Sequence, residues 1–153
     1  MARAGFYAIQ NSEIRFGRDG RWYADGEPIA NPHIADLFSR HVHRRDEGGY
    51  MLRIGDEQAR IVVDDTPYVV TGATIGADHR IWIDLNDHTR ECLDPRTLEI
   101  GPDEVLYCRV KGGREPARFL RPAYYQLAEH IDAASPGRFV LHMAGGEHPI
   151  GRR

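Results

Sequence analysis

Turn-forming clusters interrupt the apolar pattern of this chain so often that only two segments have the length and period of a helix. Asp19-Gly20, Gly48-Gly49, Asn86-Asp87, Asp94-Pro95, Gly101-Pro102 and Ser135-Pro136-Gly137 punctuate it, and these residue types stop strands and helices because they supply positive φ, a fixed φ or local side-chain bonds. Glu13 to Tyr23 alternates Ile14, Phe16 and Trp22 around Asp19-Gly20 and reads as a β-hairpin. Tyr50, Leu52 and Ile54 alternate with Met51 and Arg53. Arg60 to Val63, Tyr68-Val69-Val70, Ile81-Trp82-Ile83, Thr97 to Ile100, Val105 to Val110 and Phe139 to Met143 are further short strand-like runs.

The first helix is predicted at 32–43. Asn31 caps it, Pro32 takes the first helical position, and Ile34, Leu37, Phe38 and Val42 share one face. The second is predicted at 122–134, with Tyr124, Leu127, Ala128 and Ile131 as its apolar stripe. Each half therefore runs strands, helix, strand. Displacing the chain by 89 residues sets Phe38, His41, Val42, Gly48, Tyr50, Leu52 and Ile54 against Leu127, His130, Ile131, Gly137, Phe139, Leu141 and Met143 without a gap. A shared helix-turn-strand period produces part of that match, so internal duplication stays open beside simple periodicity. The expected fold is α+β, two small β-rich halves with one helix each, divided at 1–72 and 73–153.

A chain of 153 residues is long enough to bury a core without staples. With a net charge of -3 it lacks the basic excess of a protein built around a nucleic-acid backbone, although Arg109, Lys111, Arg114 and Arg118 form a local cluster suited to small anions. Cys92 and Cys108 are too few for a disulfide framework and lack CxxC spacing, so two reduced thiols and a cytoplasmic setting are expected. No run has the length of a membrane span.

Motifs for chemistry are weak. His41 and His43 converge only on extended chain and diverge on the helix predicted there, and the other histidines show no HxxxH spacing. Asp84-Leu85-Asn86-Asp87-His88 resembles the start of a calcium loop, then fails at His88 and lacks the turn glycine. Asp64 and Asp65 are adjacent on extended chain and point to opposite faces. Nucleophile, papain-like and Walker patterns are absent, so no catalytic residue, metal or cofactor is expected, and whether the chain is an enzyme stays open. Lys111-Gly112-Gly113-Arg114 followed by Arg121-Pro122 is the most suggestive stretch. Two glycines let N–H groups turn toward one point and the second helix starts nearby, which suits an anion; a solvated hairpin turn is the alternative.

The segments EIRFGRDGRWYADGEPI at 13–29, DLFSRHVHRRDEGGYML at 36–52, IVVDDTPY at 61–68, RPAYYQL at 121–127 and AGGEHPIG at 144–151 resemble the uncharacterised bacterial family known as domain of unknown function 1285. The resemblance implies two α+β domains made by duplication, the second loosely pleckstrin-homology-like. It also implies a ligand site at the domain interface suited to a nucleotide-like molecule, and a part in signal transduction. The chain departs from the family pattern at Ala30-Asn31-Pro32, where an arginine is expected, at Ala144 in place of a serine, and at Glu147-His148 in place of an aromatic pair; these bear on the ligand rather than the fold. The candidate ligand-binding residues are Arg121, Lys111, Arg114, Tyr125, Trp22 and Asp65. Arg121 precedes the second helix, Tyr125 and Trp22 offer rings, and Asp65 either caps the turn at Pro67 or faces Arg121. A non-catalytic binding or regulatory protein is the first expectation. A module for a signalling protein partner is the alternative, and a hydrolase comes third.

Overall fold

The computed structural model describes residues 11–143 and 146–153, so the expected serine-to-Ala144 change and Gly145 lie outside the described residues. The fold is α+β and dominated by strand, in two units, Met1–Pro67 and Tyr68–Arg153. The expected boundary at 72/73 moves to 67/68 because strand β7, Tyr68–Ile75, pairs from its first residue with strands of the second unit.

The first unit is one six-stranded sheet with a helix. Its elements are β1 Ile14–Phe16, β2 Trp22–Ala24, β3 Glu27–Pro28, α1 Pro32–Ser39, β4 Val42–Arg44, β5 Tyr50–Ile54 and β6 Glu57–Val63, and the strand order is β3-β2-β1-β6-β5-β4. The predicted hairpin is present, with Phe16 opposite Trp22. Its turn is tight because a Cβ on Gly17 would fall 3.0 Å from the Tyr23 ring and 2.6 Å from Asp19 Oδ1, and because Gly20 takes φ 79°. Asn31 Oδ1 caps α1 by accepting from His33 N at 2.9 Å, with Pro32 at the first position as predicted. The helix stops at Ser39, however, four residues early. His41 N donates to Phe38 O, and Val42 to Arg44 become β4. Val42 lies four residues after Phe38 and so satisfies a helical stripe, but its β-branched side chain serves as well at the head of a strand.

The second unit begins with β7 and continues through β8 Ile81–Leu85, β9 Arg90–Cys92, a 3-10 turn Pro95–Thr97, β10 Glu99–Ile100, a second 3-10 turn Pro102–Glu104, β11 Leu106–Val110 and β12 Glu115–Phe119. Then come α2 Arg121–Ala128, β13 Ile131–Ser135, β14 Arg138–Met143, β15 Gly146–Pro149 and β16 Gly151–Arg152. Seven strands form a sheet in the order β16-β10-β11-β12-β7-β8-β9, and β13-β14-β15 form a second. The strand expected over 97–100 is shortened to β10 because Asp94 and Pro95 start a 3-10 turn. The helix expected over 122–134 ends at Ala128, and Ile131, expected on its stripe, opens β13 instead. Helix α2 packs on β7, where Gln126 Oε1 accepts from Ala73 N at 2.8 Å.

Two registers recur between the units. In the first, Val42 lies opposite Leu52, Arg44 opposite Tyr50 and Ile54 opposite Glu57; raising each number by 89 gives the observed pairs Ile131 with Leu141, Ala133 with Phe139 and Met143 with Gly146. The hairpin recurs at 84: Phe16 opposite Trp22 becomes Ile100 opposite Leu106, and the bond from Gly17 N to Arg21 O becomes Gly101 N to Val105 O. A Cβ on Gly101 would fall 2.6 Å from the Tyr107 ring, as one on Gly17 would meet Tyr23. In both units the hairpin's first strand also pairs in parallel with the last strand, Arg15 with Val62 and Glu99 with Gly151.

The core of the first unit is aromatic. Trp22 lies between Phe16, at 4.8 Å between centroids, and Phe38, edge-on at 5.4 Å, and its Nε1–H donates to Ser39 Oγ at 2.9 Å. All four are buried. Trp22→Ala therefore removes a buried ring, its edge contacts and the donor to Ser39, and is expected to cost about 3–5 kcal/mol in chemical denaturation of the full chain.

Candidate functional site

The candidate residues fall into three places. Trp22, expected to offer a flat surface, is 2% exposed and stacked into the first core, so no ligand ring reaches it. Asp65 is half-buried in the turn leaving β6, and its neighbour Asp64 pairs with Arg15.

Lys111 and Arg114 lie in the β11–β12 turn, where Lys111, Gly112 and Gly113 take φ of 56°, 70° and 82°. The cations there are used by the protein. Lys111 Nζ donates to Asp87 Oδ2 at 2.6 Å and to Thr89 Oγ1 at 3.0 Å, above the Tyr68 ring, while its backbone N–H meets Glu91 Oε2 at 3.3 Å. Arg114 Nε donates to Lys111 O, and Arg109 to the carbonyls of Gly113 and Arg114. Carboxylates therefore occupy the position proposed for an anion. The turn is also separated from Arg121 by all of β12, about 16 Å of extended chain. The calcium-like segment is an ordinary turn: Asp84 pairs with Arg90 at 2.8 Å, Asn86 Oδ1 accepts from Val69 N, and Asp87 from Thr89. His43 is on a strand and His41 Nδ1 meets Leu37 O at 2.7 Å; among the described residues no group of three His, Cys, Asp or Glu side chains is placed to hold a metal. Both cysteines are free thiols, and burial pushes Cys108 up to about 12.

Arg121 and Tyr125 do come together. They line a cleft of about 490 Å³ on the second unit with Arg118, Tyr124, Asp103 and Glu104. Every element has a reason to be there. Leu120 N donates to Val70 O and fixes the start of α2, so Arg121, Tyr124 and Tyr125 fill its first turn at neighbouring positions. Arg118 is at the end of β12, with Nη1 3.4 Å from Tyr107 OH. Asp103 and Glu104 come from the 3-10 turn, both at φ 60°. Tyr125 is 64% exposed and edge-on to Tyr124 at 5.5 Å. Among the described residues none bonds or ion-pairs with the Arg121 guanidinium, and no side chain caps α2. A second cavity of about 200 Å³ adjoins the cleft, sharing Glu104, Leu106 and Tyr124, and extends to Ala128, Ile131 and Phe139. Asp103 and Glu104 were missed by motif reasoning; the signal that finds them is the recurrence of Phe16-Gly17-x-Asp19-x-x-Trp22-Tyr23 as Ile100-Gly101-x-Asp103-x-x-Leu106-Tyr107.

With this geometry in hand, comparison with known proteins gives a family resemblance and no activity. Residues 7–66 match the family model for the N-terminal domain of DUF1285, a domain of unknown function. A DUF1285 family protein from Silicibacter pomeroyi DSS-3 superposes with a TM-score of 0.71 at 23% identity, covering 91% of this chain and 79% of that one. A second, from Shewanella baltica OS155, superposes with a TM-score of 0.61 at 20% identity, covering 78% of this chain and 93% of that one. At these identities the likeness is one of fold. No curated protein matches. No helix among the described residues is long and apolar enough to cross a membrane.

Burial works against the charge of Asp87, but the hydrogen bonds from Lys111 and Thr89 outweigh it and hold the carboxyl below its ordinary range. A carboxyl with a depressed folded value contributes stability above its unfolded value and loses it as pH falls through the folded one. Lys111→Ala is accordingly expected to destabilise by roughly 1–3 kcal/mol at neutral pH and to flatten the acid side of the stability profile, with no effect on ligands bound at Arg121. Melting curves from pH 7 downward on both proteins check this.

Proposed function

We propose that this relative of the DUF1285 proteins is a non-catalytic binding or regulatory protein that holds an anionic, nucleotide-like ligand in the cleft of its second unit. The observation that carries the reading is Arg121: a guanidinium without a partner among the described residues, at the uncapped start of α2, beside a second arginine and two tyrosine rings. A planar cation of this kind engages phosphate or carboxylate in two parallel bonds, and the N–H groups of a helix start add to the same field. The carboxylates of Asp103 and Glu104 on the same cleft suit a ligand that carries donors as well as negative charge. The setting in bacterial signal transduction follows the family resemblance.

We further infer that the two units are copies of one ancestral unit. Support comes from the two conserved registers, the matching glycine under a tyrosine ring in each hairpin, and the parallel closure of each unit. For the second unit, a seven-stranded sheet covered by one helix on β7 is the feature in favour of a pleckstrin-homology-like description. Tyr125, the most exposed large apolar residue described, favours the second reading, a surface for a signalling protein.

A thermal-shift panel of nucleotides and inorganic anions tests the first reading, since a ligand at 100 times its Kd adds about 2.7 kcal/mol. The expected result is at least one stabilising nucleotide whose effect is weakened by Arg121→Lys and removed by Arg121→Ala, with both variants melting within about 0.5 kcal/mol of the parent when unliganded. Affinity unchanged in both variants takes Arg121 out of the site, and no response to any nucleotide overturns the reading.

A further inference from the structure

We infer that the cavity of about 200 Å³ beside the cleft is a receptor for a flat heteroaromatic ring bearing an N–H donor and an anionic substituent, because the first unit fills the corresponding space with its own indole. The correspondence follows from the two registers. Phe16 and Trp22 of the first hairpin stand where Ile100 and Leu106 stand in the second. Phe38 and Ser39 at the end of α1 stand where Leu127 and Ala128 end α2, Val42 where Ile131 begins β13, and Tyr50 where Phe139 lies on β14.

In the first unit these positions make one packed cluster, with the indole of Trp22 between two rings and its N–H on Ser39. In the second unit three ring side chains of the set are aliphatic and the serine is alanine, and the space between them is the cavity lined by Ile100, Leu106, Ala128, Ile131 and Phe139. An aliphatic set of the same size would have closed it. The polar group for the ring has moved as well. The serine hydroxyl that accepts from Trp22 is gone, but Glu104 stands on the cavity wall at the position of Gly20 in the first turn. Gly20 takes φ 79° without penalty, whereas Glu104 holds φ 60° with a side chain attached, a conformation that glycine would adopt at lower cost. A carboxylate thus stands at a strained position at the junction of cavity and cleft, where its ion pair with Arg152 Nη1, exposed and long at 3.7 Å, leaves it acceptor capacity. A ring in this cavity, turned from the pose of the indole so that its N–H meets Glu104, would pack against Tyr124 and direct an anionic substituent to Arg118 and Arg121.

This inference rests on the binding reading above for the anionic end and adds the ring, so the test separates the two. Calorimetric titration would use indole-3-acetate and guanosine monophosphate as anionic rings from two sources, hexanoate as an anion with a flexible chain, inorganic phosphate as an anion alone, and neutral indole as a ring alone. The expected result is that at least one anionic ring binds about tenfold or more tightly than hexanoate and phosphate. Leu106→Trp with Ala128→Ser, which rebuilds the first unit's filling, should abolish ring binding and leave any weak phosphate binding unchanged. Glu104→Ala, at an exposed position, should weaken ring binding roughly tenfold, the loss of a hydrogen bond to a charged group, and keeps the test decisive if the double variant does not fold. Hexanoate binding as tightly as the rings, or ring binding that survives in a folded Leu106→Trp, Ala128→Ser protein, overturns the ring receptor while the anion reading stands. Neutral indole binding as tightly as both anionic rings, with no loss in Arg121→Ala, overturns the anion reading and leaves the cavity as a receptor for the ring alone.

Discussion

Each unit is closed by a short parallel ladder between the first strand of its hairpin and its last strand. Ile14 to Phe16 pairs in parallel with Ile61 to Val63 in the first, and Glu99 and Ile100 with Gly151 and Arg152 in the second. Parallel neighbours cannot be joined by a tight turn, so the chain between them must make a crossover, and here the crossover contains the hairpin's second strand, the helix and a meander. Closing so long a loop costs entropy that the ladder's few bonds do not repay. The repayment comes from burial under the ladder: Ile14, Phe16, Trp22, Phe38 and Leu52 in the first unit, and Leu98, Ile100, Leu106, Leu127 and Leu141 at the corresponding positions of the second, are each nearly inaccessible to solvent. The helix is therefore not an independent element. At eight residues it is too short to hold alone in water, and it exists because Phe38 or Leu127 has a sheet to cover.

The same frame produces a closed core in one unit and a cleft in the other through the size of a few side chains. The registers make the backbone positions comparable, and at those positions Leu106 differs from Trp22, and Ala128 from Ser39, in volume and polarity. The stretch between hairpin and helix is longer in the second unit, where the β11–β12 pair takes the place that β2–β3 has in the first and brings Arg118 to the edge of α2. Charge follows the same division. In the turn, Lys111 Nζ is paired with Asp87 and the guanidinium groups of Arg109 and Arg114 donate to turn carbonyls, whereas Arg121, seven residues beyond Arg114, lines the cleft with no partner for its guanidinium among the described residues.

Local punctuation made much of this fold legible. Asp19-Gly20, Asn31-Pro32 and Gly48-Gly49 place the first hairpin, the start of α1 and the turn that leads into β5 where they are found, although β4, the strand before that turn, begins inside the stretch predicted as helix. The helix ends were misjudged because Val42 and Ile131 follow Phe38 and Leu127 by four residues and fit a helical face, while the bonds that end each helix, His41 N to Phe38 O and His130 N to Leu127 O, leave no mark in the residue types. Strand β12 was hidden by Pro116, which cannot donate to a ladder and so argues against a strand; it is tolerated here because it lies opposite Arg109, outside the stretch that pairs with β7. The site was half legible. Arg121 and Tyr125 share a helical turn and were accessible to spacing arguments, but Glu104 becomes visible only at an offset of 84, and a search at 89 passes it by because the second unit has five more residues between its hairpin and its helix.

The difference between the units also bears on why the second keeps its opening. A small unit has little apolar surface to bury, and an indole at position 106 would add contacts of the kind that Trp22 makes with two rings and a serine. The chain forgoes that contact and retains a strained Glu104 instead of the glycine used at Gly20. Each change removes stability by a different route, one through packing and the other through backbone conformation, and both act on the walls of a single cavity. That is the pattern the proposed ring receptor calls for, since a core free to relax recovers either cost with a single substitution.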